Sequence, residues 1–100
     1  DNFLYLKNFN LKHVFLLAKR MLEDEFYEAL TEQFVVYPGG NIEIIPKMGR
    51  ARIFFGEYSD VDEKLENLMI FLTEIQPRQG WKDYESINIS FKGQVVCERA

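Results

Sequence analysis

The sequence predicts an α+β domain with a mainly antiparallel five-stranded sheet packed against two main helices. Two segments repeat apolar residues at helical spacing, and five short runs rich in β-branched and aromatic residues are separated by turn residues. A chain of 100 residues has room for one domain. Its 47% hydrophobic content beside a net charge of −4 excludes a disordered tail. We therefore expect residues 1–100 to form a single domain whose N-terminal boundary stays open within residues 1–10.

The first helix is predicted from Leu11 to Leu22, with Asn10 as a plausible N-cap. Its apolar stripe recurs with the period of an α-helix and marks the face that we expect to be buried. The stripe consists of Leu11, Val14, Phe15, Ala18, Met21 and Leu22. An acidic break at residues 23–25 then precedes a short helical continuation over residues 26–30.

Three strands are predicted next, over residues 33–37, 42–45 and 51–55. A Pro-Gly-Gly-Asn turn separates the first two, and a turn that contains Gly49 separates the second and third. Apolar runs around short Gly-containing turns are typical of hairpins, so these strands should form an antiparallel meander.

The second main helix is predicted to begin after Ser59 or Asp60 and to end at Pro77 and Gly80. Acidic side chains follow the predicted N-cap, where the helix dipole favours negative charge. The face expected to be buried consists of Val61, Leu65, Leu68, Met69, Leu72 and Ile75.

The last two strands are predicted to form a hairpin. Ile87, Ile89 and Phe91 alternate with polar residues, which is the period of a half-buried strand. Lys92 and Gly93 are predicted to form a two-residue turn, and residues 94–98 are predicted to form the returning strand. Because no strand follows it in these 100 residues, this strand should lie at a sheet edge unless a strand from elsewhere pairs with it.

The charge and the apolar runs argue against nucleic-acid binding and against a membrane-spanning helix in this sequence. The acidic pI near 5.0 and the dispersed lysines and arginines disfavour nucleic-acid binding. The longest apolar run, residues 14–18, is far shorter than the roughly 20 residues of a membrane helix. The chain starts at Asp1 without a targeting segment, so we expect it to be a piece of a longer protein.

The sequence shows no pattern of catalytic or metal-binding residues, so we expect neither an enzyme nor a cofactor. His13 and Cys97 lie far apart without ligand spacing around either residue. The acidic residues 23–25 are typical of a solvated helix end, and Gly39 and Gly40 lead into a strand and not into a phosphate-binding helix. A single cysteine leaves the redox compartment open.

The 15 aromatic residues exceed what a small core buries completely. Four of them are equally plausible as core residues or as surface residues: Phe15, Phe34, Phe54 and Phe71. Four others lie near predicted turns and strand ends, where we expect a contact surface: Tyr37, Trp81, Tyr84 and Phe91.

The order and spacing of several segments carry a family resemblance. Ile-Ile-Pro-Lys-Met-Gly at residues 44–49 is followed by Ile-Phe-Phe-Gly at 53–56, by Glu-Lys-Leu at 63–65, by Gly-Trp-Lys-Asp-Tyr at 80–84 and by Gln-Val-Val-Cys at 94–97. With these segments the chain resembles the extracytoplasmic β domain of the FtsQ/DivIB family of bacterial cell-division proteins, in the form found in Bacteroidetes-like sequences. The resemblance implies that a transmembrane helix and a POTRA domain precede this piece, at the periplasmic face of the inner membrane.

The resemblance also implies a non-catalytic scaffold that gathers division proteins of the FtsB and FtsL type at the septum. In the family, a partner segment adds to the sheet at the last hairpin by β-augmentation. Carried over, the partner-binding positions are Phe91, Lys92, Gly93, Gln94, Val95, Val96 and Cys97. The exposed aromatics Trp81 and Tyr84 would extend this surface.

Three points stay open at this stage. The outward side chains of the last strand are either Val95 and Cys97 or Gln94 and Val96. The strand could instead be an ordinary terminal strand, protected by the edge charges of residues 98 and 99. A function of another class is a small-molecule or peptidoglycan-fragment binding or processing domain, with a cleft near Trp81 and Tyr84.

Overall fold

A computed structural model describes residues 11–75 and 84–99 of the chain. The described elements are, in chain order, α1 (Leu11–Leu22), α2 (Glu25–Leu30), β1 (Thr31–Val36), β2 (Ile42–Pro46), β3 (Arg52–Gly56), α3 (Val61–Ile70), a π-helical turn (Phe71–Ile75), β4 (Tyr84–Asn88) and β5 (Val96–Arg99). The α+β class and the five strands are confirmed.

The sheet is mixed, which corrects the expectation of a mainly antiparallel one. Its spatial order follows the chain order from β1 to β5. The pairs β1–β2, β2–β3 and β4–β5 are antiparallel, whereas β3 and β4 are parallel. The parallel pair follows from the connection between β3 and β4. This connection contains α3 and returns the chain to the N-terminal end of β3, and parallel neighbours require such a crossover.

The described residues contain three α-helices, where two main helices and a short continuation over residues 26–30 were predicted. The acidic break does begin a separate helix, because Asp24 is the N-cap of α2 and its side chain accepts a hydrogen bond from the Phe26 N–H at 2.9 Å. Helix α3 begins at Val61 as predicted, after Asp60 in a left-handed conformation with φ of 49°. The predicted end at Pro77 and Gly80 lies outside the described residues.

The core lies between the helices and one face of the sheet, which we call the core face and which carries Ile44, Ile53 and Ile87. The wholly or almost wholly buried hydrophobic side chains are Val14, Leu17, Met21, Tyr27, Ile42, Ile44, Ala51, Ile53, Phe55, Leu65, Leu68, Phe71, Leu72, Tyr84, Ile87 and Ile89. Phe71 is thus a core residue, and Phe34 and Phe54 are half-buried.

The buried face of α1 is rotated from the predicted stripe. Leu17, which the stripe omitted, is wholly buried together with Met21, whereas Phe15 and Leu22 are exposed. Residues 14, 17 and 21 follow a spacing of three and four, so this short helix turns a narrow side toward the core. The expectation that Phe15 and Leu22 belong to the buried stripe is therefore wrong.

A buried tyrosine joins α2 to α3 and gives a first prediction. The Tyr27 hydroxyl donates to the Leu65 carbonyl oxygen at 2.7 Å. Burial, followed by the nearby Asp24 carboxylate, raises the pKa of Tyr27 to about 12 from 10.0. In the unfolded chain Tyr27 loses its proton at a lower pH than in the folded protein. The stability that the protonated, buried hydroxyl contributes is therefore fully present below pH 10 and is lost as the pH rises toward 12.

The substitution Tyr27→Phe removes the hydrogen bond to the Leu65 carbonyl oxygen. It should therefore lower the free energy of unfolding by about 1 kcal/mol near neutral pH. Urea titrations followed by circular dichroism, at neutral pH and at about pH 11, measure both effects. The cost of the substitution should shrink at the higher pH. An equal cost at both pH values would contradict the raised pKa of the buried hydroxyl.

Candidate partner-binding edge

Strand β5 lies at the edge of the described sheet. It pairs with β4 on one side, with Asn88 opposite Val96, Ile87 opposite Cys97 and Ser86 opposite Glu98. Among the strands in residues 11–75 and 84–99, none pairs with its other side. The N–H and C=O groups along that side are the feature that strand addition uses.

The connection between β4 and β5 is longer than the predicted two-residue turn. Strand β4 ends at Asn88 and β5 begins at Val96, so residues 89–95 form a loop. Asn88 ends β4 because its Oδ1 accepts from the Ser90 N–H at 2.8 Å and from the Ser90 hydroxyl at 2.6 Å. The Ile89 N–H donates instead to the Phe54 carbonyl oxygen of β3 at 2.9 Å.

A close contact between two backbones fixes the start of this loop. Gly56, at the end of β3, has φ of +82°, and a Cβ added there would lie 2.7 Å from the Cβ of Ser90. Only glycine combines that backbone conformation with that distance. The end of β3 therefore holds the loop, and through it the edge strand, in place.

The structure distinguishes the two sets of side chains that the sequence left open. Val95 and Cys97 are half-buried and pack against the core. Val96 is 42% exposed, and Gln94 is exposed as well. Gln94 and Val96 are therefore the side chains directed away from the core.

Burial also raises the pKa of the Cys97 thiol, which keeps its sulfur uncharged.

The remaining predicted positions separate into two groups. Phe91, Lys92 and Gly93 are exposed in the loop, as a contact surface requires. Tyr84 is only 8% exposed, which corrects its expected place on that surface. Its ring centroid lies 6.0 Å from that of Phe71. Trp81 lies outside the described residues.

A β-bulge explains the burial of Tyr84. The register of β4 with β5 shifts between Tyr84 and Ser86, where Tyr84 lies opposite Arg99 and Ser86 opposite Glu98. An irregularity of this kind breaks the simple alternation of a strand. Tyr84 and Ile87 are therefore both buried although three positions separate them.

One neighbour of the edge, Ile70, was missed by sequence reasoning. The loop borders a cleft of about 370 Å³ lined by Asn67, Ile70, Phe71, Gly93, Gln94 and Val95. Ile70 is 39% exposed and lies off the apolar stripe predicted for this helix, which is the signal that could have found it. Glu98 is exposed and accepts a hydrogen bond from the Ser86 hydroxyl at 3.1 Å.

The face opposite the core face, which we call the outer face, carries Glu43, Arg52, Ser86 and Glu98. The Glu43 side chain is wholly buried and forms an ion pair with the Arg52 guanidinium. The Tyr37 hydroxyl also donates to Glu43, and this hydrogen bond raises the pKa of Tyr37. Arg52 Nη2 lies 3.5 Å from the same hydroxyl. Arg52 therefore neutralises the buried carboxylate.

A second cleft, of about 550 Å³, lies where β3 and β4 end. The almost wholly buried Lys64 lines it, and its ammonium donates to the Glu57 carbonyl oxygen at 2.8 Å and lies 4.6 Å from the centre of the Phe55 ring. Burial lowers the pKa of Lys64. These contacts give the ammonium a structural role beneath the cleft.

The two residues considered for chemistry lie on different elements of the fold. His13 stacks on Tyr58, with ring centroids 4.9 Å apart, and Cys97 lies on β5. Within residues 11–75 and 84–99, no three His, Cys, Asp or Glu side chains come close enough to hold a metal ion. The helices of that same part of the chain are all too short or too polar to cross a membrane.

Comparison with known proteins identifies a family. The model of the family described as "FtsQ/DivIB, C-terminal related" matches residues 4–98. The match thus begins nearer the N-terminus than the segments that carried the resemblance. Neither the curated proteins nor the solved structures give a significant match. Because the family model covers nearly the whole chain, this protein belongs to the FtsQ/DivIB C-terminal related family of bacterial cell-division proteins.

Proposed function

We propose that this domain is a non-catalytic binding module of the division machinery that receives an extended segment of a small coiled-coil division protein on β5. The observation that carries the proposal is the position of β5 at the edge of the described sheet. An added strand gains main-chain hydrogen bonds there and places alternate side chains beside those of β5.

The local architecture supports binding at this edge. The loop over residues 89–95 is held at its start by Asn88 and by the contact between Gly56 and Ser90. Phe91 at 47% exposure and Val96 at 42% offer apolar surface next to the edge. A pre-ordered edge costs less conformational entropy on binding than a flexible segment does.

The partner class and the location come from the family. FtsB-type and FtsL-type proteins are the partners that the resemblance implies, and binding would take place at the periplasmic face of the inner membrane. The whole protein would reach that membrane through an N-terminal transmembrane helix outside this sequence. Its contribution to septum formation would be to hold division proteins together, without a chemical step.

The test is a proline in the edge strand. Val96→Pro removes one N–H from β5 and restricts its backbone. Binding of the extracytoplasmic segment of the FtsB-type protein from the same genome, measured by isothermal titration calorimetry, should weaken at least about tenfold, as expected when a strand hydrogen bond and its geometry are lost. Nuclear magnetic resonance spectra establish whether the variant remains folded.

The matched control lies at the opposite edge of the described sheet. Gln33→Pro makes the same change in β1 and should leave binding unchanged. In the unmodified protein, the segment should slow amide hydrogen exchange in Val96–Arg99 but not in Thr31–Val36. A folded Val96→Pro variant that keeps full affinity, or protection confined to β1, would contradict the proposal.

A further inference from the structure

The side chains of β5 define what a neighbouring strand would have to carry. On the outer face, Val96 and Glu98 are both exposed, two positions apart. Between them, Cys97 points to the core face opposite the wholly buried Ile87. Along the edge, the exposed apolar Val96 is therefore followed by Cys97, which faces the core, and then by the exposed acidic Glu98.

The carboxylate of Glu98 is held in place by the neighbouring strand. Its Oε1 accepts from the Ser86 hydroxyl on the neighbouring strand, which fixes the side chain on the outer face. The ion pairs found in residues 11–75 and 84–99 do not include Glu98. Arg52, next to Ser86 in the sheet, is already paired with the buried Glu43.

Directly opposed side chains on adjacent strands interact, and opposite charges favour pairing while like charges oppose it. A strand added to β5 would place one residue beside Glu98, the next beside Cys97 and the next beside Val96. Charge complementarity favours a basic residue beside Glu98. Apolar residues are favoured beside Cys97, which faces the core, and beside the exposed Val96.

We propose that the partner strand carries a basic side chain beside Glu98 and apolar side chains beside Cys97 and Val96. This inference rests on the proposed function, because it describes the partner of the same edge. It adds a selection rule: segments with an acidic residue at the position beside Glu98 are disfavoured.

The first test reverses the charge of Glu98 and uses the same FtsB-type segment as the probe. Glu98→Lys should weaken binding by about 5–10-fold, and Glu98→Gln by about 2–5-fold with a weaker dependence on salt. Glu32, an exposed carboxylate on β1 at the opposite edge, provides the control. Glu32→Lys changes the net charge equally and should leave the affinity unchanged.

The second test does not need the natural partner. A strand joined to the C-terminus through an Asn-Gly turn folds back along β5, with valine beside Val96 and either lysine or glutamate beside Glu98. The lysine version should have a Tm higher by about 2–4 °C. Glu98→Gln should remove most of that difference.

The outcomes separate the two proposals. If Val96→Pro abolishes binding but Glu98→Lys binds as well as the original protein or better, the charge rule is overturned and the edge proposal stands. Equal Tm values for the two fused strands, with both protecting the amides of β5, have the same meaning. If Val96→Pro stays folded and keeps full affinity, the edge proposal fails and the charge rule fails with it.

Discussion

Phe55→Ala is expected to lower the free energy of unfolding by about 3–5 kcal/mol, because it removes a whole buried ring and leaves a cavity. Phe55 is wholly buried on β3, the central strand of the five. Its ring also lies beneath the ammonium of Lys64, 4.6 Å from the ring centre. The alanine variant leaves that buried ammonium without its aromatic contact, so the cost should lie in the upper part of the range.

Urea titration followed by tryptophan fluorescence and circular dichroism measures this loss. A domain of this size has a total stability of roughly 5–15 kcal/mol, so the variant should be close to unfolding. The control is Met48→Ala, at a side chain that is 58% exposed, where the change should stay within about 0.5 kcal/mol. A loss below about 1 kcal/mol for Phe55→Ala would contradict the described core.

The sequence patterns predicted the elements well because each element is decided locally. Apolar periodicity and turn residues specify where strands and helices lie, and all five strands and the start of α3 were found in this way. The position of β5 at the edge of the described sheet agrees with the prediction for the last strand. These properties depend on neighbours within a few residues.

What the sequence did not predict depends on contacts between distant segments. Whether β3 and β4 run parallel depends on where α3 returns the chain, and a predicted helix between two strands permits a parallel pair without specifying it. The burial of Tyr84 follows from a bulge against β5, and the long β4–β5 loop from side-chain bonds of Asn88. Both features shift the candidate site by a few residues, and neither has a strong local pattern.

The outer face shows the same limit in its electrostatics. Glu43 stands between two isoleucines of β2. The alternation of side chains along a strand gives no reason to expect that its carboxylate is completely buried. Arg52 and Tyr37 come from β3 and from the turn after β1, and only the folded sheet brings them to Glu43. A buried charge is costly unless it is paired, so this cluster should contribute strongly to stability.

Arg52→Met is therefore expected to destabilise the domain by about 2–3 kcal/mol. Removing one partner of a buried ion pair leaves an uncompensated charge at a cost of about 3–5 kcal/mol, and we lower that figure because Arg52 itself is half-exposed to water. Urea titration of Arg52→Met, Glu43→Gln and the double variant measures the coupling. The double variant should be more stable than Arg52→Met, because no buried charge remains.

The surface pair of Arg20 and Asp62 provides the matched control. Its atoms approach to 2.6 Å, closer than most ion pairs, yet the two side chains are 45% and 86% exposed. Arg20→Met should therefore cost less than about 1 kcal/mol, and that cost should fall further in salt. If the two arginine substitutions cost the same, burial of the Glu43 carboxylate does not determine the energetics, and the outer-face cluster is an ordinary surface ion pair.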